Sequence, residues 1–381
     1  MSDQKQLAAL TGLRFIAACG VLICHYAGIL QMPATLMFLP DLSGTFVALF
    51  FVLSGFVLTL QYDHRLQHRG QLSQYFAARA ARVLPVYWLC LIATLFLFLV
   101  DGFDNSLGGM LSLTDRIKSF IINFFALQAW IPDYETQQFW NAPGWSVSSE
   151  AFFYACFPML LKACRSSHVK TLIARLWLYM ALILGTSFWI IWKVDWVSTS
   201  SEFLAFAMLI RFPAFGLYCF VLGVALGIAF NRKTDWPVSV SKITIFLLLV
   251  SLVLAAFLRY ADMSQMQRFM GQVAAYYLIN SIAFAALIWY LASQKSILSC
   301  LLGSRSIQIL GHASYALYLI HWLPLMWLTA QIRSGAVWTP FEVVMAIGAQ
   351  IFVSLMIYVW FEDPLRRKLR LWLGPGVVAQ G

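Results

Sequence analysis

An arginine and a histidine, Arg14 and His25, interrupt the otherwise apolar run Leu13–Tyr26. At 100° per residue the eleven steps between them make about three turns, so they share one helix face, roughly 16 Å apart along the axis. Ionisable groups inside such runs are costly and usually functional. Imidazole is suited to proton abstraction near neutral pH, guanidinium to holding an anion. Glu150 stands in a second apolar run, five residues after Trp145. Counting from the ends of the two helices puts Glu150 about 8–10 Å deep and His25 at a similar depth. The expectation is a His25–Glu150 couple: the carboxylate fixes the tautomer and the second ring nitrogen acts as a base. The plainer alternative is that Glu150 bonds Ser or Tyr groups and holds helices together. Arg79 and Arg82 are spaced i, i+3, on one helix face. Alone they read as a basic flank. With Arg14 at the same end of the bundle they would make a phosphate clamp. Pro85 is expected near the start of their helix, where proline is tolerated.

These residues must be carried by membrane helices. The 381 residues are 61% hydrophobic and 11% charged, against about a quarter charged in a soluble domain. Mean hydropathy is +0.77. Fifteen Trp and fifteen Tyr suit two interfacial belts. Spans of about 20 apolar residues are predicted at 9–30, 43–61, 82–100, 145–163, 172–193, 208–230, 243–260, 271–293, 309–331 and 340–361. The short apolar stretch 117–130 reads as interfacial or re-entrant. The net charge of +10 does not point to nucleic acid, because most of the basic residues fall in alternate loops: Arg65, Arg79, Arg165, Lys170, Arg232, Lys233, Lys295 and Arg305 on one side, with the tail arginines Arg366, Arg367 and Arg370, against fewer on the other, among them Arg116, Lys118, Lys193, Arg259, Arg268 and Arg333. By the positive-inside rule that side is cytoplasmic and, with ten spans, holds both termini. The seven cysteines form no CxxC pair and are expected as buried free thiols, without disulfide or zinc. The expected fold is all-α: a single polytopic bundle with a central cavity, one domain over 1–381 with its core at 9–370. The first apolar run is read as a transmembrane helix and not as a cleaved signal.

The assembled motifs resemble the acyltransferase 3 family of membrane acyltransferases. "LTGLRFIAACGVLICHY" is similar to the family's opening helix, "FFVLSGFVLT" to its second-helix motif and "RAAR" to its paired arginines. "GWSVSSEAFFYACFP", "RFPAFGLYCFVLG", "SYALYLIHW" and "FEDPLRR" resemble later segments in the same order. The resemblance implies transfer of an acyl group, most often acetyl, from cytoplasmic acyl-CoA to a hydroxyl. The acceptor would be a surface carbohydrate, a lipid-linked glycan or glycolipid, or a small molecule such as a macrolide. It implies a plasma (inner) membrane location among membrane lipids, as monomer or homo-oligomer. No metal and no fused extracellular esterase-like domain are expected.

On that reading Arg14, Arg79 and Arg82 hold the CoA phosphates and the pantetheine arm threads between helices towards His25. His25 is the general base and Glu150 orients it. An acyl-histidine intermediate stays open. Ser54, Trp145, Ser146 and Tyr154 are equal candidates for the oxyanion donor. His321, in the ninth span, either lines the acceptor cavity or is structural. Arg211 either binds an anionic acceptor or pairs with Glu202, and Glu362 is expected to pair with Arg79, Arg82 or a tail arginine. A proton-coupled transporter would also use intramembrane His, Glu and Arg, but the matching halves common in such folds are not found in the sequence.

Overall fold

The computed structural model describes residues 2–27, 36, 38–67, 71–101, 112–193, 210–234, 240–260, 271–273 and 275–373. Among them no strand occurs. The helices in chain order are α1 (Ser2–Ala27), α2 (Ser43–Tyr62), α3 (Gln71–Asp101), α4 (Leu113–Phe124), α5 (Tyr134–Gln138), α6 (Gly144–Ser166), α7 (Val169–Lys193), α8 (Pro213–Asn231) and α9 (Val240–Tyr260). A π-helical turn Ala275–Asn280 leads into α10 (Ser281–Ser293). Then come α11 (Ile297–Leu302), α12 (Arg305–Ile320), α13 (Trp322–Arg333), α14 (Pro340–Ile357), a second π-helical turn Tyr358–Glu362, and α15 (Asp363–Leu373).

Where they are described, the ten predicted segments are helical except at Phe212, which is extended just before α8, and at His321. Among the described residues seven helices are long and apolar enough to cross a membrane: Leu7–Ala27, Leu39–Tyr62, Gln71–Val100, Thr171–Trp189, Pro213–Asn231, Gly271–Ser293 and Pro340–Leu369. Among the remaining three, α6 is diluted by Ser146, Ser148, Ser149 and Glu150, and α9 contributes only the shorter apolar helix Ile245–Leu258. The ninth segment is broken at His321, between α12 and α13. Pro324 accounts for the break: it has no N–H, and its ring clashes with the carbonyl four residues back, that of Ile320. The Leu319 carbonyl beside the break accepts from Asn141 Nδ2 at 3.1 Å. α7, α9 and α14 turn outward large apolar residues such as Trp177, Leu182, Trp189, Phe246, Phe257, Val344 and Phe352, a lipid-facing surface.

Two sequence expectations are corrected here. Pro85 does not lie near a helix start, because α3 begins at Gln71 and runs through it. And not every cysteine is buried: all seven are free, but Cys300 is exposed.

Small residues let the central helices close up. A Cβ on Gly55 of α2 would stand 2.1 Å from the Phe220 carbonyl, and one on Gly223 of α8 would stand 2.0 Å from that of Val52. Backbones therefore touch across this seam, as small-residue stripes allow in membrane bundles. Gly311 of α12 meets the Thr11 carbonyl of α1 in the same way, at 2.1 Å. That contact fixes the His25 helix against the one that ends at His321.

The described part of the connection between α3 and α6, residues 112–143, packs as a lid against the bundle. α4 is amphipathic in an inverted sense: Arg116, Ser119 and Asn123 are buried while Ile117, Ile121 and Phe124 are exposed. The Arg116 guanidinium lies between the Phe98 and Phe139 rings, 4.7 and 4.9 Å from their centroids. Asn123 Nδ2 donates to the Ser119 and Thr136 carbonyls, and its own carbonyl accepts from Tyr87 at 2.5 Å. Every residue from Thr136 to Ser149 is buried, so α6 starts inside the protein and not at its surface.

Candidate active site

Two cavities lie among the helices. The first, about 70 Å³, is lined by Arg14, Arg79, Arg82, Ser54, Ser146, Glu150, Tyr154, Tyr315 and Tyr318 among others. The three arginines expected to act together do share this space. Arg79 is buried, its guanidinium 5.4 Å from the Tyr62 ring centroid and 5.9 Å from that of Tyr154. Arg82 Nη1 lies 3.8 Å from the fully buried carboxylate of Glu362, so the arginine that Glu362 selects is Arg82. Among the described residues neither Glu362 oxygen has a hydrogen-bond partner.

The second cavity, about 370 Å³, is lined by His25, Trp145, Arg211, Tyr318 and Trp322, with Asp41, Gln138, Gln272 and Asn280 adding polar groups. Arg211 Nη1 donates to Gln137 Oε1 at 3.3 Å, and the Gln138 amide oxygen, oriented to satisfy both partners, accepts from the same guanidinium at 2.8 Å. The guanidinium lies 5.7 Å from the Trp145 ring centroid. Glu202, one of the two partners expected for it, lies outside the described residues. Asn280 Oδ1 and the Trp322 indole N–H lack protein partners. A cavity of this size with aromatic walls and a few such polar atoms suits a small polar molecule.

The expected His25–Glu150 contact is not made. His25 Nδ1 lies 2.8 Å from His321 Nε2. Trp322 meets the His25 ring edge-on at 5.7 Å. Glu150 Oε1 instead accepts from Ser54 Oγ at 2.9 Å and from the Tyr154 hydroxyl. The reason is depth. Counting from Trp145 assumed that α6 starts at a membrane face, whereas it starts below the buried lid, so Glu150 falls among the arginines. His321 takes the vacated place because the helix break at Pro324 delivers its ring to His25. Pro324 was the sequence signal for this: helices interrupted inside a membrane bundle commonly line a cavity.

The other sequence candidates divide between the cavities. Ser54 and Tyr154 are committed to Glu150 and line the arginine cavity. Trp145 lines the histidine cavity, and its neighbour Ser146 lines the other. Sequence reasoning passed over Tyr318, which lines both.

An arginine-lined chamber beside a histidine-bearing one suits transfer of a group from an anionic donor to a neutral acceptor. The acyltransferase domain model of the acyltransferase 3 family matches residues 7–359. The chain belongs to the acyltransferase 3 family. It is 28% identical over 336 residues to the acyltransferase MdmB of Streptomyces mycarofaciens, an alignment covering 84% of this chain and 79% of that protein. No solved structure matches it. An acyltransferase 3 protein needs an acyl donor and an acceptor for the group. The described linings of both chambers fall within the matched region, and Glu362, beside Arg82, lies just beyond it.

Proposed function

We propose that this membrane protein is an acyl-CoA-dependent O-acyltransferase. It moves an acyl group, in the simplest case acetyl, from cytoplasmic acyl-CoA to a hydroxyl of a surface carbohydrate or lipid-linked glycan. The supporting observation is the juxtaposition of the two cavities: three guanidiniums in one, His25 in the other, with Val47 and Tyr318 common to both linings. The arginine cavity faces the cytoplasm of a plasma membrane, with both termini on that side, and the whole chain works as one membrane-embedded domain. CoA phosphates are the natural partners of Arg14, Arg79 and Arg82, since guanidinium recognises phosphate through charge-assisted hydrogen bonds.

His25 is the general base in this reading. Its Nδ1 is engaged with His321, so Nε2 is the nitrogen free to take the acceptor proton. For Nε2 to carry the lone pair, Nδ1 must hold the hydrogen and donate it to His321 Nε2, which then accepts. His321 thus occupies the place of the orienting carboxylate in a serine–histidine–aspartate arrangement, without its charge. Glu150, Ser54 and Tyr154 shape the donor channel and balance its arginines. Arg211, near His25, meets the acceptor.

Purified protein in lipid vesicles should release free thiol from acetyl-CoA when a hydroxyl-bearing glycan is supplied. Acetyl should appear on that glycan. Substrate flux across the vesicle with no thioester cleavage would replace this reading by transport.

A further inference from the structure

Among the described residues the two cavities share two lining residues, Val47 and Tyr318. A thioester entering from the arginine cavity and a hydroxyl activated by His25 must therefore meet at this wall. Val47 has no donor. Tyr318 has one, on a side chain that is 6% exposed, with its ring centroid 6.0 Å from that of His321.

The hydroxyl itself stands at the boundary. It accepts from Ser146 Oγ at 2.8 Å, a residue of the arginine cavity, and faces the carbonyl of Pro143, a residue of the histidine cavity, at 3.3 Å. That second distance is long for O–H···O, where about 2.7–2.8 Å is usual, so the tyrosine hydrogen is weakly held. Ser146 Oγ also reaches the Pro143 carbonyl, at 2.9 Å. Pro143 is the N-cap of the 23-residue α6, which places the positive end of that helix dipole at the same point. Two hydroxyls and a helix N-terminus thus converge where the chambers touch.

We propose that the Tyr318 hydroxyl, seconded by Ser146, binds the oxyanion formed when the acceptor attacks the thioester. The inference rests on the reading of His25 as base. His25 Nε2 takes the proton of the acceptor hydroxyl as its oxygen bonds to the thioester carbonyl carbon. The carbonyl oxygen becomes an oxyanion and receives the hydrogen bond of the Tyr318 hydroxyl, which Ser146 polarises by donating its own hydrogen to the tyrosine oxygen. Collapse breaks the carbon–sulfur bond, the CoA thiolate takes the proton from the His25 imidazolium, and the products are the ester and CoA thiol. Preorganised donors aimed at such an oxygen are among the largest contributions to catalysis.

Tyr318→Phe keeps the ring that forms the wall and removes the hydroxyl. The expected result is a fall in kcat of about 10²–10³-fold, with CoA affinity and both KM values within about threefold of the native protein. Ser146→Ala should lower kcat by less. Fluorinated tyrosine at position 318 keeps the shape and changes only the hydroxyl's acidity, and kcat should move with it. A Tyr318→Phe protein with native kcat, a loss confined to KM, or a rate indifferent to fluorination would each overturn the proposal. His25→Ala is run alongside. If that variant is inactive while Tyr318→Phe turns over normally, the oxyanion assignment falls and the base assignment stands; if both turn over normally, both fall.

Discussion

His25 Nδ1 and His321 Nε2 lie 2.8 Å apart, bringing together residues 296 positions apart in the chain. One ring sits on a continuous helix, the other at the break between α12 and α13. If His321 orients the base, His321→Ala should lower kcat by about 10²-fold, within the range that base catalysis supplies, while donor KM stays near native. His321→Gln, which can still accept through its amide oxygen, should recover part of the loss. Steady-state kinetics on both variants checks this. Equal and small effects of the two substitutions would make His321 structural only.

Glu150 behaves differently because it lies with the arginines. Glu150→Gln keeps an acceptor for Ser54 and Tyr154 and removes the charge that offsets Arg14, Arg79 and Arg82. The folded protein should lose thermal stability and its CoA affinity should change, whereas the acid limb of the pH–rate profile, which reports the base, should not move. A displaced acid limb would restore Glu150 as the partner of His25.

Much of this arrangement was legible in the sequence. Arg14, Arg79, Arg82 and His25 could be placed by helical period alone, and the three arginines do converge. The depth of Glu150 was not legible, because helix counting has no term for a buried lid such as the segment Thr136–Ala142, which hides where α6 begins. The role of His321 depends on a helix break whose only local mark is Pro324. Tyr318 carries no signal of its own: an aromatic in an apolar helix reads as core, and only the tertiary packing of α2, α6 and α12 puts it between two chambers.

The α2–α8 seam should tolerate no side chain. Gly223→Ala would place a Cβ 2.0 Å from the Val52 carbonyl, so the helices must part. Overpacking of this kind costs about 1–3 kcal/mol. Thermal unfolding in detergent should show the loss, and Gly185→Ala, where a Cβ meets nothing within 4 Å, should not.

An ion-pair cluster ties the ends of α2, α6 and α8 together. Asp63 accepts from Arg165 Nε at 2.5 Å and from Asn231 Nδ2 at 2.9 Å. Burial pushes its carboxyl up, but the hydrogen bonds from Asn231 and Arg165 outweigh this and hold it below its ordinary value. A depressed folded pKa stabilises above the unfolded value, about 3.9, and that contribution is lost as pH falls through the folded value. Native protein should therefore lose thermal stability on acidification below about pH 4. Asp63→Asn should be less stable at neutral pH and show a flatter acid response. Parallel melting curves from neutral pH to about pH 3 in both proteins would decide it.

A donor anchored by the arginines and delivering its acyl group to the shared wall should be visible in an experimental structure with a non-cleavable thioether analogue of acetyl-CoA. Its phosphates should lie against Arg14, Arg79 and Arg82, its chain beside Tyr318, and its acyl carbonyl within hydrogen-bond reach of the Tyr318 hydroxyl on the side facing His25. Phosphates bound elsewhere, or an acyl group held on the arginine side with the Val47–Tyr318 wall intact between it and His25, would contradict this arrangement.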